Sequence, residues 1–110
     1  MINKTGAELS TKAMALLNEQ GYAANVISSS EKGTPDILAC IKGRFVAIEI
    51  KGRGDTLKLD QSQKLKAVYG AGGVAIVAKT LADVQMAVDL ANSGKQGPPP
   101  PDLDVKSFTI

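Results

Sequence analysis

The sequence predicts an α/β domain in which a mixed sheet of about four strands, with a central hairpin, is flanked by helices. Two observations carry this. Segments with apolar residues at helical spacing alternate with short runs rich in Val, Ile, Leu and Phe, and two of those runs are separated only by Lys42-Gly43. The chain has 110 residues, 44% hydrophobic and 22% charged, the composition of one conventionally packed domain.

Thr5 followed by Glu8 has capping-box spacing, and Leu9, Ala13, Leu16 and Leu17 recur on one helical face, which predicts a helix from about Gly6 to Gln20. Gly21 suits its stop, and Ala23 to Ser28 reads as a first strand. A Ser-rich stretch and Glu31-Lys32-Gly33-Thr34-Pro35 then form a loop before the hairpin, Asp36 to Ile41 and Arg44 to Ile50. Asp60, with Gln63 three residues on, is the expected N-cap of a second helix running to about Tyr69. Gly70, Gly72 and Gly73 end it, and Val74 to Ala78 is a short apolar strand. Thr80 and Asp83 repeat the cap signal for a third helix, running to about Asn92. A single folded domain is expected over residues 1–93. Residues 94–110 read as a Pro-rich linker, with four consecutive prolines at 98–101, and a tail whose Val105 to Ile110 suits an edge strand or a contact with a partner chain.

Charge balance alone names no partner, since 13 Lys and Arg stand against 11 Asp and Glu. A single cysteine excludes an intramolecular disulfide framework, and the absence of histidine removes the usual zinc spacings. A metal would have to rest on carboxylates and carbonyls, which favours Mg²⁺ or Mn²⁺. No segment reaches the ~20 apolar residues of a membrane span, so no membrane association is expected and the cytoplasm of a bacterial or phage-infected cell is the expected location. Cys40, inside an apolar strand, is expected in the core.

The hairpin has a chemical consequence. A two-residue turn at Lys42-Gly43 sets Asp36 opposite Glu49 on one face, and the pleat adds Lys51 to that face. Paired carboxylates repel there, so something positive belongs between them. The opposite face carries Ile37, Ala39, Ile41, Val46, Ile48 and Ile50, while Leu38, Cys40, Phe45 and Ala47 continue the carboxylate face, so helices are expected to cover both sides. Charged groups at the end of a buried hairpin are costly without a function. The plainer alternative makes Asp36 a loop residue and Glu49 with Lys51 a solvated ion pair.

The run Gly33-Thr34-Pro35-Asp36 with Glu49-Ile50-Lys51 behind the hairpin resembles the Pro-Asp…Asp/Glu-x-Lys nuclease superfamily, whose core is the restriction-endonuclease-like α/β arrangement. Gly-x-Pro-Asp, Glu49-Ile50-Lys51-Gly52 and Gln61 opening the next helix are similar to the virus-type replication-repair nuclease (VRR-NUC) family in its compact stand-alone form, over about residues 5–80. The resemblance implies that Asp36, Glu49 and the backbone carbonyl of Ile50 bind a divalent metal. It implies that Lys51 orients or activates the attacking water and stabilises charge on the phosphate. Glu8 matches the acidic residue that completes the site, often through water, although its capping-box position offers a structural role too. Gln61 matches a glutamine that positions the lysine, the water or the phosphate, and it is equally a first-turn helix residue. Family members leave a 5′-phosphate.

Arg53 in the glycine-flanked loop after the site, then Lys58, Lys64 and Lys66, suit a phosphate-tracking surface, or simply a solvated helix face. A chain this small has no separate module for reading sequence, so specificity is expected from DNA shape. Stand-alone family members resemble Holliday-junction resolvases, and two symmetric incisions call for a C2 homodimer, with the third helix or the tail supplying its interface. The alternatives are a flap or nicking nuclease acting as a monomer, and a non-catalytic DNA-binding subunit. The last is disfavoured because opposed carboxylates repel phosphate.

Overall fold

A computed structural model describes residues 6–103. Helix α1 spans Gly6–Gln20 and strand β1 spans Tyr22–Asn25. Strands β2 (Ile37–Ile41) and β3 (Arg44–Ile50) form the hairpin. Helix α2 (Leu59–Gly70), strand β4 (Val74–Ala78) and helix α3 (Leu81–Ser93) follow. The sheet order is β1-β2-β3-β4, antiparallel through β3, while β4 is parallel to β3 across the α2 crossover. This is the expected mixed four-strand sheet of a restriction-endonuclease-like core. Among the described residues no helix is long and apolar enough to cross a membrane. The Thr5 cap and the apolar end Val105 to Ile110 lie outside the described residues.

The hairpin turn has positive φ at both Lys42 (51°) and Gly43 (77°), the signature of a type I′ turn. It sets the predicted register, with Ile37 opposite Ile48 and Leu38 opposite Ala47, so the next rung outward places Asp36 beside Glu49. Strand parity then separates two cores. Ile37, Ala39, Ile41, Val46, Ile48, Val74, Ile76 and Ala78 pack with Leu9, Ala13 and Leu17 of α1 and Val84, Ala87 and Val88 of α3. The other face holds a smaller cluster, Ala47, Ala75 and Leu65, with Leu38, Leu57, Val68, Tyr69 and Val77 against it.

That second layer is narrower than the sequence suggested. Helix α2 packs on β3 and β4, leaving the outer part of that face open, and Cys40 is exposed rather than in the core. Its register neighbours Tyr22 and Phe45 are also exposed, at 70% and 48%. Strand β1 is also shorter than expected. Its last rung is Val26 N–H to the Asp36 carbonyl (2.8 Å), and the preceding Pro35 has no N–H to extend the ladder. Helix α2 begins two residues early, with Lys58 rather than Asp60 at the N-cap. Thr80 caps α3 as expected: its hydroxyl accepts Asp83 N–H (3.2 Å), and the Asp83 carboxylate accepts Thr80 N–H (3.2 Å).

Two glycines are required by close approach. A Cβ on Gly21 would collide with the Cys40 carbonyl, and one on Gly33, at φ +84°, would stand 2.5 Å from the Asp60 carbonyl. Gly33 thus lets the loop before Asp36 lie against the start of α2, where Lys64 pairs with Glu31 (3.1 Å) and Lys32 with Asp60 (3.9 Å).

Candidate active site

Asp36, Glu49, Lys51 and Gln61 meet where the end of the hairpin faces the first turn of α2. Asp36 Oδ2 accepts the backbone N–H of Ile50 (2.8 Å), which ties the β2 carboxylate to the strand carrying Glu49. Glu49 is 2% and Lys51 7% exposed. The Lys51 ammonium donates to Gln61 Oε1 (2.8 Å) and lies 3.5 Å from Glu49 Oε2. Gln61 Oε1 also accepts the N–H of Lys58 (2.9 Å), so one oxygen both caps α2 and holds the lysine. The contact with the lysine and the first-turn helix contact thus fall on one atom. The solvated ion pair of the plainer alternative is not what forms, since both partners are buried.

Glu49 Oε1 is buried with no hydrogen-bond partner. Burial first, then the charge of Asp36, push the Glu49 carboxyl up from 4.5 to about 7, against the opposing pull of Lys51. An unsatisfied anionic oxygen in a buried site is costly, and a cation relieves it. Carboxylate and backbone carbonyl oxygens are hard donors suited to a divalent ion such as Mg²⁺ or Mn²⁺, so the residues present fit one. Among the described residues no cluster of three or more His, Cys, Asp or Glu occurs.

Glu8, on α1, faces a different hollow from the one lined by Asp36 and Ile50. It is exposed and lines a separate hollow with Leu9, Lys12, Lys79, Thr80 and Leu81. Asp36 and Ile50 instead line a surface hollow of about 420 Å³ shared with Gly6, Ala7, Ser10, Asn25, Val26 and Ile27. Ser10 and Asn25, bonded to each other at 3.3 Å, were missed by the sequence reading because they belong to no motif. Only their opposition across α1 and the end of β1 brings them there. Arg53 and Lys58 are exposed, with the Arg53 loop held by Gly52 N–H to Asp55 Oδ2 (2.8 Å). Lys64, by contrast, is engaged by Glu31.

A mixed sheet whose central hairpin presents Pro35-Asp36 and Glu49-x-Lys51 on one face defines a PD-(D/E)XK-type nuclease. Within that class, the sequence model of the archaeal Holliday junction resolvase (hjc) family matches residues 1–91, and the chain belongs to that family. No curated protein matches the chain.

Proposed function

We propose that this chain is a divalent-metal-dependent, structure-selective endodeoxyribonuclease that resolves four-way DNA junctions as a homodimer. The observation that carries the reading is half-buried Asp36 beside buried Glu49, with Glu49 Oε1 unsatisfied and Lys51 held beside it by Gln61. Asp36, Glu49 and the Ile50 carbonyl would hold Mg²⁺ or Mn²⁺, which when bound supplies Lewis-acid polarisation of a phosphoryl oxygen. The Ile50 N–H points to Asp36, and in an extended strand a residue's carbonyl leaves on the same edge as its N–H.

Lys51 has three N–H donors, of which one serves Gln61 and one faces Glu49. The third orients the attacking water or neutralises charge developing on the phosphate. Gln61 fixes the ammonium, and Asp36 is itself fixed by the backbone. In the overall reaction the water oxygen bonds to phosphorus as the bond to the 3′ oxygen breaks. The products are a 5′-phosphate and a 3′-hydroxyl, which takes up the proton released by water. Glu8 would act on this centre only through water. Arg53 and Lys58 flank the cleft as phosphate contacts, with Lys64 a weaker candidate because of Glu31.

The finer kinship with the virus-type replication-repair nucleases rests on Gly33-x-Pro35-Asp36, Glu49-Ile50-Lys51-Gly52 and Gln61, and we carry it as part of this reading. Residues 1–93 form the catalytic unit, residues 94–110 are appended to it, and the protein acts in the cytoplasm.

Labelled four-way junctions, flaps, forks and nicked duplexes, incubated with Mg²⁺ or Mn²⁺, test the proposal. Paired symmetric incision of the junction by a sedimenting dimer is expected. Cleavage of flaps or nicks by a species that stays monomeric, with and without junction DNA, would replace resolution with the flap or nicking activity. Absence of cleavage on every substrate overturns the nuclease reading.

A further inference from the structure

Beyond the stretch matched by the resolvase family, the chain doubles back along α2. At the helix's C-terminal end, Gln96 Nε2 donates to the Tyr69 carbonyl (2.6 Å) and the Gly73 carbonyl (2.8 Å), and Tyr69 donates its hydroxyl to the Gly97 carbonyl (3.0 Å). Nearer the start, Lys66 pairs with Asp102 (2.8 Å). In the first turn, Ser62 Oγ donates to the Pro101 carbonyl (2.6 Å). Ser62 is fully buried, and Pro100 is buried as well. The segment therefore clamps α2 at both ends.

Helix α2 needs such a clamp, because its own buried contacts with the sheet reduce to Leu65 against Ala47 and Ala75, with half-buried neighbours. The height of its first turn above the sheet also matters chemically. Gln61 precedes Ser62 and holds the Lys51 ammonium with the oxygen that caps the helix.

We propose that residues 95–102 are a positioning strap for the active centre, acting through Ser62 on Gln61 and through Gln61 on Lys51. Ser62 is a positioning residue and touches no substrate. The assignment rests on the nuclease reading for its functional meaning, and its geometry can be tested without DNA.

The test is a double-mutant cycle in the full-length chain, with junction cleavage as one readout. Ser62→Ala is expected to lower kcat about tenfold at nearly constant KM, because a small displacement of a group that must stand in line with the phosphate costs rate rather than affinity. In a Gln61→Ala background the same substitution should cost nothing more, since the link it acts through is gone. Equal losses in both backgrounds would mean that the strap only stabilises the fold, and the proposal would be overturned. The second readout is the nuclear magnetic resonance of the Gln61 side-chain amide and the Lys51 ammonium in the free protein. Both signals should shift in Ser62→Ala under conditions where circular dichroism shows it folded, and unmoved signals overturn the coupling. If the wild-type protein cuts no DNA, the nuclease reading fails and the resonance arm alone decides the strap. If Ser62→Ala does not fold, Gln96→Ala loosens the other end and takes its place in both arms.

Discussion

The Asp36 carboxylate is fastened to the backbone of Ile50, one residue beyond Glu49, by a 2.8 Å hydrogen bond. Two carboxylates that repel are thus fixed in place by the sheet, and the geometry exists before any cation arrives. Asp36→Asn keeps an oxygen able to accept the Ile50 N–H while removing the negative charge. Cleavage should fall by about three orders of magnitude or more, and the metal-free melting temperature should hold or rise because the repulsion with Glu49 is relieved. Wild-type cleavage rates in this variant would remove Asp36 from the site.

Glu49 gives a pH signature. Its carboxyl is held up at about 7, chiefly by burial, against an ordinary 4.5. The folded state therefore binds more protons than the unfolded chain between these values, so this group makes the metal-free protein lose stability as pH rises from about 4.5 to 7. Below that window its penalty is absent, and above it the penalty is complete. Thermal melts across pH 4.5 to 8 should show the decline in the wild type and a weaker one in Glu49→Gln. Added Mg²⁺ or Mn²⁺ should stabilise the wild type more at pH 8 than at pH 5. An identical pH dependence in the two proteins would count against the buried, raised carboxyl.

Lys51 is a donor and not a ligand. Lys51→Ala should cut turnover at least about a hundredfold while divalent-metal affinity at pH 8 stays within a few-fold of wild type. Titration calorimetry on the folded variant decides this, and loss of metal binding would show that the lysine holds the carboxylates together instead.

The basic residues should separate by their present partners. Arg53 and Lys58 are exposed, whereas Lys64 is engaged by Glu31 at 3.1 Å. Arg53→Ala and Lys58→Ala should each weaken junction binding and reduce the salt dependence of log K by about one. Lys64→Ala should change both less, because removing it also frees an acidic side chain from its cation. A larger effect at Lys64 would mean that DNA displaces Glu31.

The elements with explicit start and stop chemistry were legible in the sequence. Thr80 with Asp83 marked α3, the three glycines before Val74 marked the entry to β4, and Lys42-Gly43 set the register that opposes Asp36 and Glu49. The start of α2 was not, since Lys58 is no ordinary N-cap and its N–H is satisfied by a side chain already engaged with Lys51. The exposure of Cys40 was hidden for another reason. Alternation says which face a residue takes, but not how far a neighbouring helix reaches across that face. The proline run announced stiffness without announcing where it lies, which is decided by Gln96, Tyr69 and Ser62. The hollow that Glu8 lines with Lys79 and Thr80 likewise depends on how α1 turns its faces to the sheet and to α3.

The open row of Tyr22, Cys40 and Phe45 bears on how the molecule is handled. Cys40 is the chain's single cysteine, it is exposed, and it sits four residues along β2 from Asp36, about 13 Å at the rise of an extended strand. One maleimide dye per chain can therefore be attached at a known place on the far part of the sheet. The same thiol can also oxidise between chains in air, producing a covalent pair that would sediment as a dimer regardless of how the protein meets DNA. Hydrodynamic measurements of assembly are meaningful only in a reductant, or in a Cys40→Ser chain, and agreement between those two preparations separates a genuine twofold particle from a storage artefact.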